Sequence, residues 1–297
     1  MAFVKKITEL RDGLKIPTVG FGTYKLKDKE LTASLIKDAI RAGYRHIDTA
    51  TVYTNEDAIG DALHEVFADD SYGVKRSDIW ITSKLAPVDQ GYESTIVAVH
   101  KSLKKLRLDY IDMYLIHWPG CSSSDPNDPD HKTLRIGSWR ALEELKEKKL
   151  LRAIGVSNYQ INHLKEMKEY AKIVPFVNQC EFHPLLYSKD LVDYTKSLGI
   201  VFESYSSLGK GHFTDGNTKY QELEDISSRT GASIAQVLLC WGIQHGTIVL
   251  PKSSSKARLI HNFECQRFTL SEEEMLAIDR ISERKVERFA WDPTNIL

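Results

Sequence analysis

The sequence predicts a single (β/α)8 barrel. Two observations carry that expectation: short β-branched runs alternate with amphipathic helix-length segments along the whole chain, and reactive polar residues gather at the ends of those runs. The 297 residues suit such a barrel as one unit, 1–297, around one core. The strand-like runs are Thr18–Thr23, His46–Ala50, Ile79–Leu85, Tyr110–Trp118, Ala153–Asn158, Phe176–His183, Val201–Ser207 and Thr247–Ser253, each followed by a helix-length segment. Parallel strands joined by crossover helices close most simply into a barrel, because closure removes exposed edges; an open doubly wound sheet is the alternative. Ahead of the first run, Val4–Pro17 sets Arg11-Asp12-Gly13 between two strand-like stretches, the pattern of a β-hairpin plugging one end. After the eighth, Ser271 and Glu274 form the capping-box pattern of an extra helix running to Ile281, which with the tail is expected outside the barrel. Gly120–Thr133, rich in Ser, Asp, Asn and Pro, reads as a surface loop.

Composition narrows the function. The 40 basic and 41 acidic residues give a net charge of -1, and no stretch concentrates enough Lys and Arg to attract nucleic acid or a membrane surface. Cys121, Cys180, Cys240 and Cys265 lie far apart with no C-x-x-C pair, which fits reduced thiols and an intracellular compartment. No apolar run approaches the ~18 residues that a membrane span needs. The expectation is a cytoplasmic monomer acting on a small molecule.

In barrels of this kind the chemistry sits at the C-terminal ends of the strands. Asp48 ends the second run, Lys84 lies near the end of the third, and His117 near the end of the fourth. Ser157 and Asn158 end the fifth, Gln179 lies in the sixth, Tyr205 in the seventh and Lys252 in the eighth. Taken singly each has a bland explanation: Asp48 could cap a helix, Lys84 could be half of a structural ion pair, and Tyr53 could be a core aromatic.

The segment Gly43-Tyr44-Arg45-His46-Ile47-Asp48-Thr49-Ala50-Thr51-Val52-Tyr53-Thr54-Asn55-Glu56 resembles the aldo-keto reductases. So do Lys84, Leu115-Ile116-His117-Trp118-Pro119, Gly155-Val156-Ser157-Asn158, Gln179 with Glu181 and His183-Pro184, and Pro251-Lys252-Ser253 followed by Arg258 and Asn262. The resemblance runs through nearly the whole chain. It implies that Asp48, Tyr53, Lys84 and His117 fill the catalytic positions and that NADPH is the cofactor. The residue types suit the chemistry. A hydride arriving at a carbonyl carbon drives charge onto the oxygen, and a phenol can protonate it. A neighbouring ammonium lowers the phenol pKa, which assigns Lys84 to Tyr53, and Asp48 keeps a buried lysine charged. His117 would hold and polarise the carbonyl.

Neither Gly20-Phe21-Gly22 nor Gly209-Lys210-Gly211 continues into G-x-G-x-x-G, so a Rossmann loop is not expected. The resemblance instead implies a dinucleotide lying across the barrel mouth. Tyr205 would stack on the nicotinamide, and Ser157, Asn158 and Gln179 would bond its carboxamide. Thr23 and Asp48 would adjoin it, Ser206 and Leu208 would flank the pyrophosphate, and Lys252, Ser253, Arg258 and Asn262 would surround the adenosine phosphate end. Tyr24, Tyr53, His117, Trp118, Phe289 and Trp291 are the expected substrate wall, with Ala86 widening it. The sequence departs from many relatives at Ser207 and His261. The short segment after Leu208 suggests that a cofactor clasp is missing. Two alternatives stay open: a barrel that binds nucleotide without turnover, and a metal-dependent hydrolase using His46, Asp48, His117 and His183.

Overall fold

The computed structural model describes residues 6–297, so Val4 and Lys5 of the expected hairpin lie outside the described residues. Strands β1 (Ile7–Glu9) and β2 (Lys15–Pro17) pair antiparallel across a turn in which Asp12 and Gly13 take φ of 59° and 72°. The glycine adopts that conformation without a Cβ penalty. Leu10 and Ile16 of this hairpin bury themselves against Trp80, Met113, Phe176 and Ile248 from the barrel interior. The hairpin is the expected plug.

The barrel follows in alternation. β3 (Phe21–Gly22) leads to α1 (Lys29–Ala42), β4 (His46–Asp48) to α2 (Glu56–Ala68), β5 (Trp80–Leu85) to α3 (Tyr92–Leu106), and β6 (Ile111–Ile116) to α4 (Asp130–Glu147). β7 (Leu151–Ser157) precedes α5 (Ile161–Tyr170), and β8 (Val177–Glu181) precedes α6 (Lys189–Ser197). After β9 (Val201–Tyr205) come two helices, α7 (Gln221–Thr230) and α8 (Ile234–Gln244), where one helical segment was expected. β10 (Ile248–Val249) and α9 (Lys256–Phe263) complete the ring.

All neighbouring strands from β3 to β10 pair in parallel. Val19 bridges Val249 in parallel, Gly20 N donates to Val249 O (2.9 Å), and Val249 N donates to Thr18 O (2.9 Å). These bonds close the sheet into a (β/α)8 barrel. The ladders at this seam are shorter than the extended runs suggest, and Lys252 lies beyond β10 instead of within it. The Ser271 box forms as expected: Glu274 N donates to Ser271 Oγ (3.2 Å) and Ser271 N to Glu274 Oε2 (2.8 Å). Its helix, α10, spans Glu272–Asp279 and stops short of Ile281, which begins a separate turn, α11 (Ile281–Arg284).

Strand alternation explains what fills the barrel. On β5, Ile81 and Leu85 join the core beneath the helices, whereas Trp80 points to the floor and Thr82 and Lys84 stack above it. On β4, His46 and Asp48 face inward with Ile47 outward. The interior therefore grades from an apolar floor to a charged mouth.

Outside the barrel, α2 and α3 approach so closely that a Cβ on Gly60 would lie 2.3 Å from Lys105 O and 2.7 Å from Leu106 C. Backbone cannot move aside as a side-chain tip can. Gly60→Ala is expected to destabilise the protein by about 1–3 kcal/mol, despite the better helix propensity of alanine. A lower urea midpoint tests this; an unchanged midpoint would mean that the helices separate freely.

Candidate active site at the mouth of the barrel

At the C-terminal end of the strands, Lys84 is fully buried and uses all three ammonium protons. Nζ donates to Asp48 Oδ1 (2.7 Å), Asp48 Oδ2 (2.8 Å) and Thr49 O (2.8 Å). Tyr53 stands on a single 3-10 turn, Thr51–Tyr53, that follows β4 and is pinned to β5 by Thr51 Oγ1 donating to Lys84 O (3.0 Å). Its ring centroid lies 5.0 Å from Lys84 Nζ and 5.7 Å from the His117 ring. The four expected catalytic side chains thus come together.

Burial pulls the Lys84 pKa down, but the Asp48 carboxylate, by its charge and its hydrogen bonds, is the main group that holds it above the ordinary lysine value. Burial likewise raises the Tyr53 phenol. Lys84 pulls it downward, as the sequence suggests, yet burial outweighs that pull and Tyr53 stays protonated at neutral pH. Burial and the adjacent Lys84 charge push His117 well below the usual imidazole value, so its ring is neutral. Its Nδ1 is buried without a hydrogen-bond partner among the described residues.

Below this group lies a second polar layer that sequence reasoning missed. Glu203, fully buried on β9, accepts from Gln179 Nε2 (3.2 Å), whose other bond goes to Asp48 Oδ2 (2.9 Å). Two acceptors fix the Gln179 amide with its carbonyl oxygen turned away from them. His46 Nε2 bonds Thr82 Oγ1 (3.0 Å) and lies 3.7 Å from Glu203 Oε1. Burial and Asp48 raise the Glu203 carboxyl to about 8, and burial lowers His46 to about 3. A glutamate inside a strand gives no sequence signal of its own; its spacing two residues before Tyr205, on the inward parity, was the available clue.

The residues expected to bind the cofactor come from the ends of several strands and from α9. Tyr205 OH donates to Asn158 Oδ1 (2.7 Å), and Asn158 Nδ2 donates to His117 O (3.0 Å) and Ser157 Oγ (3.1 Å). Asn158 (φ 65°) and Ser206 (φ 53°) take left-handed backbone where their strands end. Thr23 Oγ1 is committed to Asp48 O (2.9 Å), so Thr23 ties β3 to β4. Leu208 is half-buried nearby. Ser253 Oγ bonds Ser255 backbone on both sides (3.0 Å each), Asn262 is buried in α9, and Lys252 and Arg258 are exposed. Among the described residues neither cation has a carboxylate partner, and nor does Lys25. Burial, Arg258 and Lys25 all lower the Lys252 pKa, so three cations share one region without neutralisation. Lys25 was not foreseen; its place after Tyr24 was the only hint.

Of the expected substrate wall, Trp118 and Trp291 meet edge to face at 5.9 Å, and Tyr24 packs on Tyr53 at 5.1 Å. Ala86 is buried. Phe289, expected in this wall, packs instead against His183 (5.1 Å) and His212 (5.4 Å). The segment after Leu208 supports the tail: Lys210 Nζ bonds Phe289 O. The four hydrolase ligands do not converge. His183 bonds Glu181, His46 bonds Thr82, and no three His, Cys, Asp or Glu side chains are grouped for a metal among the described residues.

This fold and this mouth belong to a class of barrel oxidoreductases. The chain is a member of the aldo/keto reductase family, whose model matches residues 18–283. It is 41% identical over 294 residues to a glyoxal reductase of Bacillus subtilis, covering 99% of this chain and 98% of that one. It is also 41% identical over 286 residues to a 9,11-endoperoxide prostaglandin H2 reductase of Trypanosoma cruzi, covering 96% and 94%. Among solved structures, an aldo-keto reductase of Bombyx mori in complex with NADP superposes with a TM-score of 0.85 at 31% identity, over 97% of this chain and 96% of that one.

The raised Glu203 pKa has a consequence for stability. Unfolded glutamate loses its proton near 4.5, whereas the folded carboxyl keeps it to about 8. Between those values the folded state binds the extra proton, so this group's contribution falls as pH rises. Thermal midpoints of wild type should decline from pH 5 to pH 8 more steeply than those of Glu203→Gln; parallel profiles would place the Glu203 titration elsewhere.

Proposed function

We propose that this protein reduces aldehydes and ketones to alcohols with NADPH, Tyr53 supplying the proton. The single observation that carries the reading is the Lys84 ammonium, clamped by Asp48 and Thr49 against the Tyr53 ring. The relatives named as glyoxal and prostaglandin reductases, and a Hypocrea jecorina glycerol 2-dehydrogenase (NADP(+)) that is 37% identical, support the same class of reaction and cofactor.

When bound, the nicotinamide supplies the hydride; the chain supplies everything else. Neutral His117 donates an N–H to the substrate oxygen and orients the carbonyl beside Tyr53. As negative charge grows on that oxygen, Tyr53 OH releases its proton, and the fixed Lys84 charge stabilises the phenolate left behind. Asp48 keeps Lys84 charged throughout. Tyr205 and Asn158, bonded to each other, offer a flat ring beside polar groups that would hold the nicotinamide, and the Gln179 carbonyl oxygen, its amide nitrogen being committed to Asp48, would accept from the carboxamide. Trp118, Trp291 and Tyr24 form the substrate wall. Lys252 and Arg258, with Lys25 beside them, fit a ligand bearing several phosphates. The reading includes one barrel domain over residues 1–297, working as a cytoplasmic monomer; four free cysteines suit a reducing compartment.

Tyr53→Phe should keep the fold and NADPH binding while turnover falls about 10²-fold or more. Near-normal NADPH oxidation with aldehydes in this variant would remove the proton donor from the mechanism. A second test addresses the cofactor. Charge-assisted bonds to a 2'-phosphate are each worth about 1.5–3 kcal/mol before screening, so a preference for NADPH over NADH of roughly tenfold is expected. Lys252→Met with Arg258→Met should weaken NADPH binding and leave NADH binding nearly untouched. Equal losses for both would assign the cations to the pyrophosphate or the fold.

A further inference from the structure

The tail is bonded to the rest of the chain at several points, Glu287 N to Leu185 O (2.9 Å), Lys210 to Phe289 O, His163 Nε2 to Ile296 O (2.8 Å) and Leu297 N to Pro126 O (3.1 Å), and one buried carboxylate grips it next to Trp291. Glu181, the last residue of β8, is 2% exposed and lies two positions after Gln179. Its Oε1 accepts from Phe289 N (2.7 Å) and its Oε2 from Ala290 N (2.9 Å), while His183 Nε2 donates to Oε1 (3.0 Å). Arg288 approaches Oε2 at 4.0 Å. Two successive backbone N–H groups gripping one carboxylate form a charge-assisted clamp, and a buried anion without them would be costly. The fit is supported from below: Gly209 (φ 56°) has no room for a side chain, since a Cβ there would lie 2.9 Å from Phe213 and 3.1 Å from Phe289. One residue beyond the clamp stands Trp291, 77% exposed and touching the rest of the mouth through Trp118. So exposed a ring cannot hold itself in place by burial.

We infer that Glu181 is a positioning residue for substrate selection: its carboxylate latches the C-terminal tail to the end of β8 and thereby holds Trp291 against Trp118 as a wall for aromatic and bulky carbonyl substrates. The inference rests on the substrate wall proposed above and assigns its rigidity to a group outside it. Burial and the donors act oppositely on Glu181, and the donors prevail, keeping it below the usual carboxylate range and therefore charged at neutral pH.

Two variants attack the latch from opposite sides. Glu181→Gln removes the charge and one acceptor, and Ala290→Pro removes a donor on the tail without touching the barrel. Tail release is read as the rate of tryptic cleavage after Arg288, followed by mass spectrometry. Selection is read as KM and kcat for 4-nitrobenzaldehyde and for acetaldehyde, alongside the Kd for NADPH from fluorescence quenching. Loss of one such bond should speed cleavage and raise KM for 4-nitrobenzaldehyde by about tenfold each, with kcat, the acetaldehyde KM and the NADPH Kd changing by less than about threefold. Added to Trp291→Ala, either variant should raise the 4-nitrobenzaldehyde KM no further, because both act through the same ring. Unchanged cleavage in both variants overturns the latch. Additive KM effects, or equal losses for both aldehydes, overturn its link to selection. If Trp291→Ala alone leaves KM unchanged, the substrate wall itself is wrong, and the link falls with it even where cleavage quickens.

Discussion

Everything at the mouth depends on keeping one ammonium charged where water does not reach it. An isolated cation inside a protein carries a desolvation penalty of several kcal/mol, and such a group ordinarily surrenders its proton. Lys84 avoids this because Asp48 takes two of its bonds and the Thr49 carbonyl the third. The geometry follows from parallel pairing, in which Asp48 sits beside Thr82 and Lys84 projects one pleat higher on the same face. With that charge fixed, its neighbours sort themselves. A phenol beside it keeps its proton through burial but finds the phenolate eased, and an imidazole beside it is denied a second positive charge.

The same field reaches downward. Glu203, set between Asp48 and the floor, holds its proton because a second anion so close to Asp48 is penalised by both burial and repulsion. His46 stays neutral for the matching reason, burial first and then the Lys84 charge both disfavouring its protonated form. Around Lys84 the inward layer therefore carries one cation paired with one anion, Asp48, with neutral Glu203, His46 and His117 packed against them.

How much of this was legible follows from what a sequence encodes. Alternation of period two makes Asp48, Lys84, Gln179 and Tyr205 readable as inward residues at strand ends, and the structure gathers them. The ends of the ladders were harder. Of Thr18–Thr23 and Thr247–Ser253 only Phe21–Gly22 and Ile248–Val249 form regular strand, and composition does not register where a ladder stops. Phe289 looked like a pocket residue because tail aromatics often are; it is turned inward by bonds to Glu181 and Lys210 that join residues more than 70 positions apart. Glu203 escaped notice, and Glu181 was read only as part of the resemblance with no role of its own, for a related reason. A glutamate is ordinarily solvated, and only the tertiary structure reveals that neither one is.

The closure between Val19 and Val249 has a consequence of its own. It joins segments about as distant along the chain as the barrel allows, so the entropy of bringing them together must be met before the ring can shut, and late zipping is favoured during folding. With only a few backbone bonds across it, this join is where local opening would cost least. Tyr24 and Lys25 follow one edge and Lys252 the other. A molecule touching both edges would act as an external staple, lending the ring its own binding free energy as mechanical integrity.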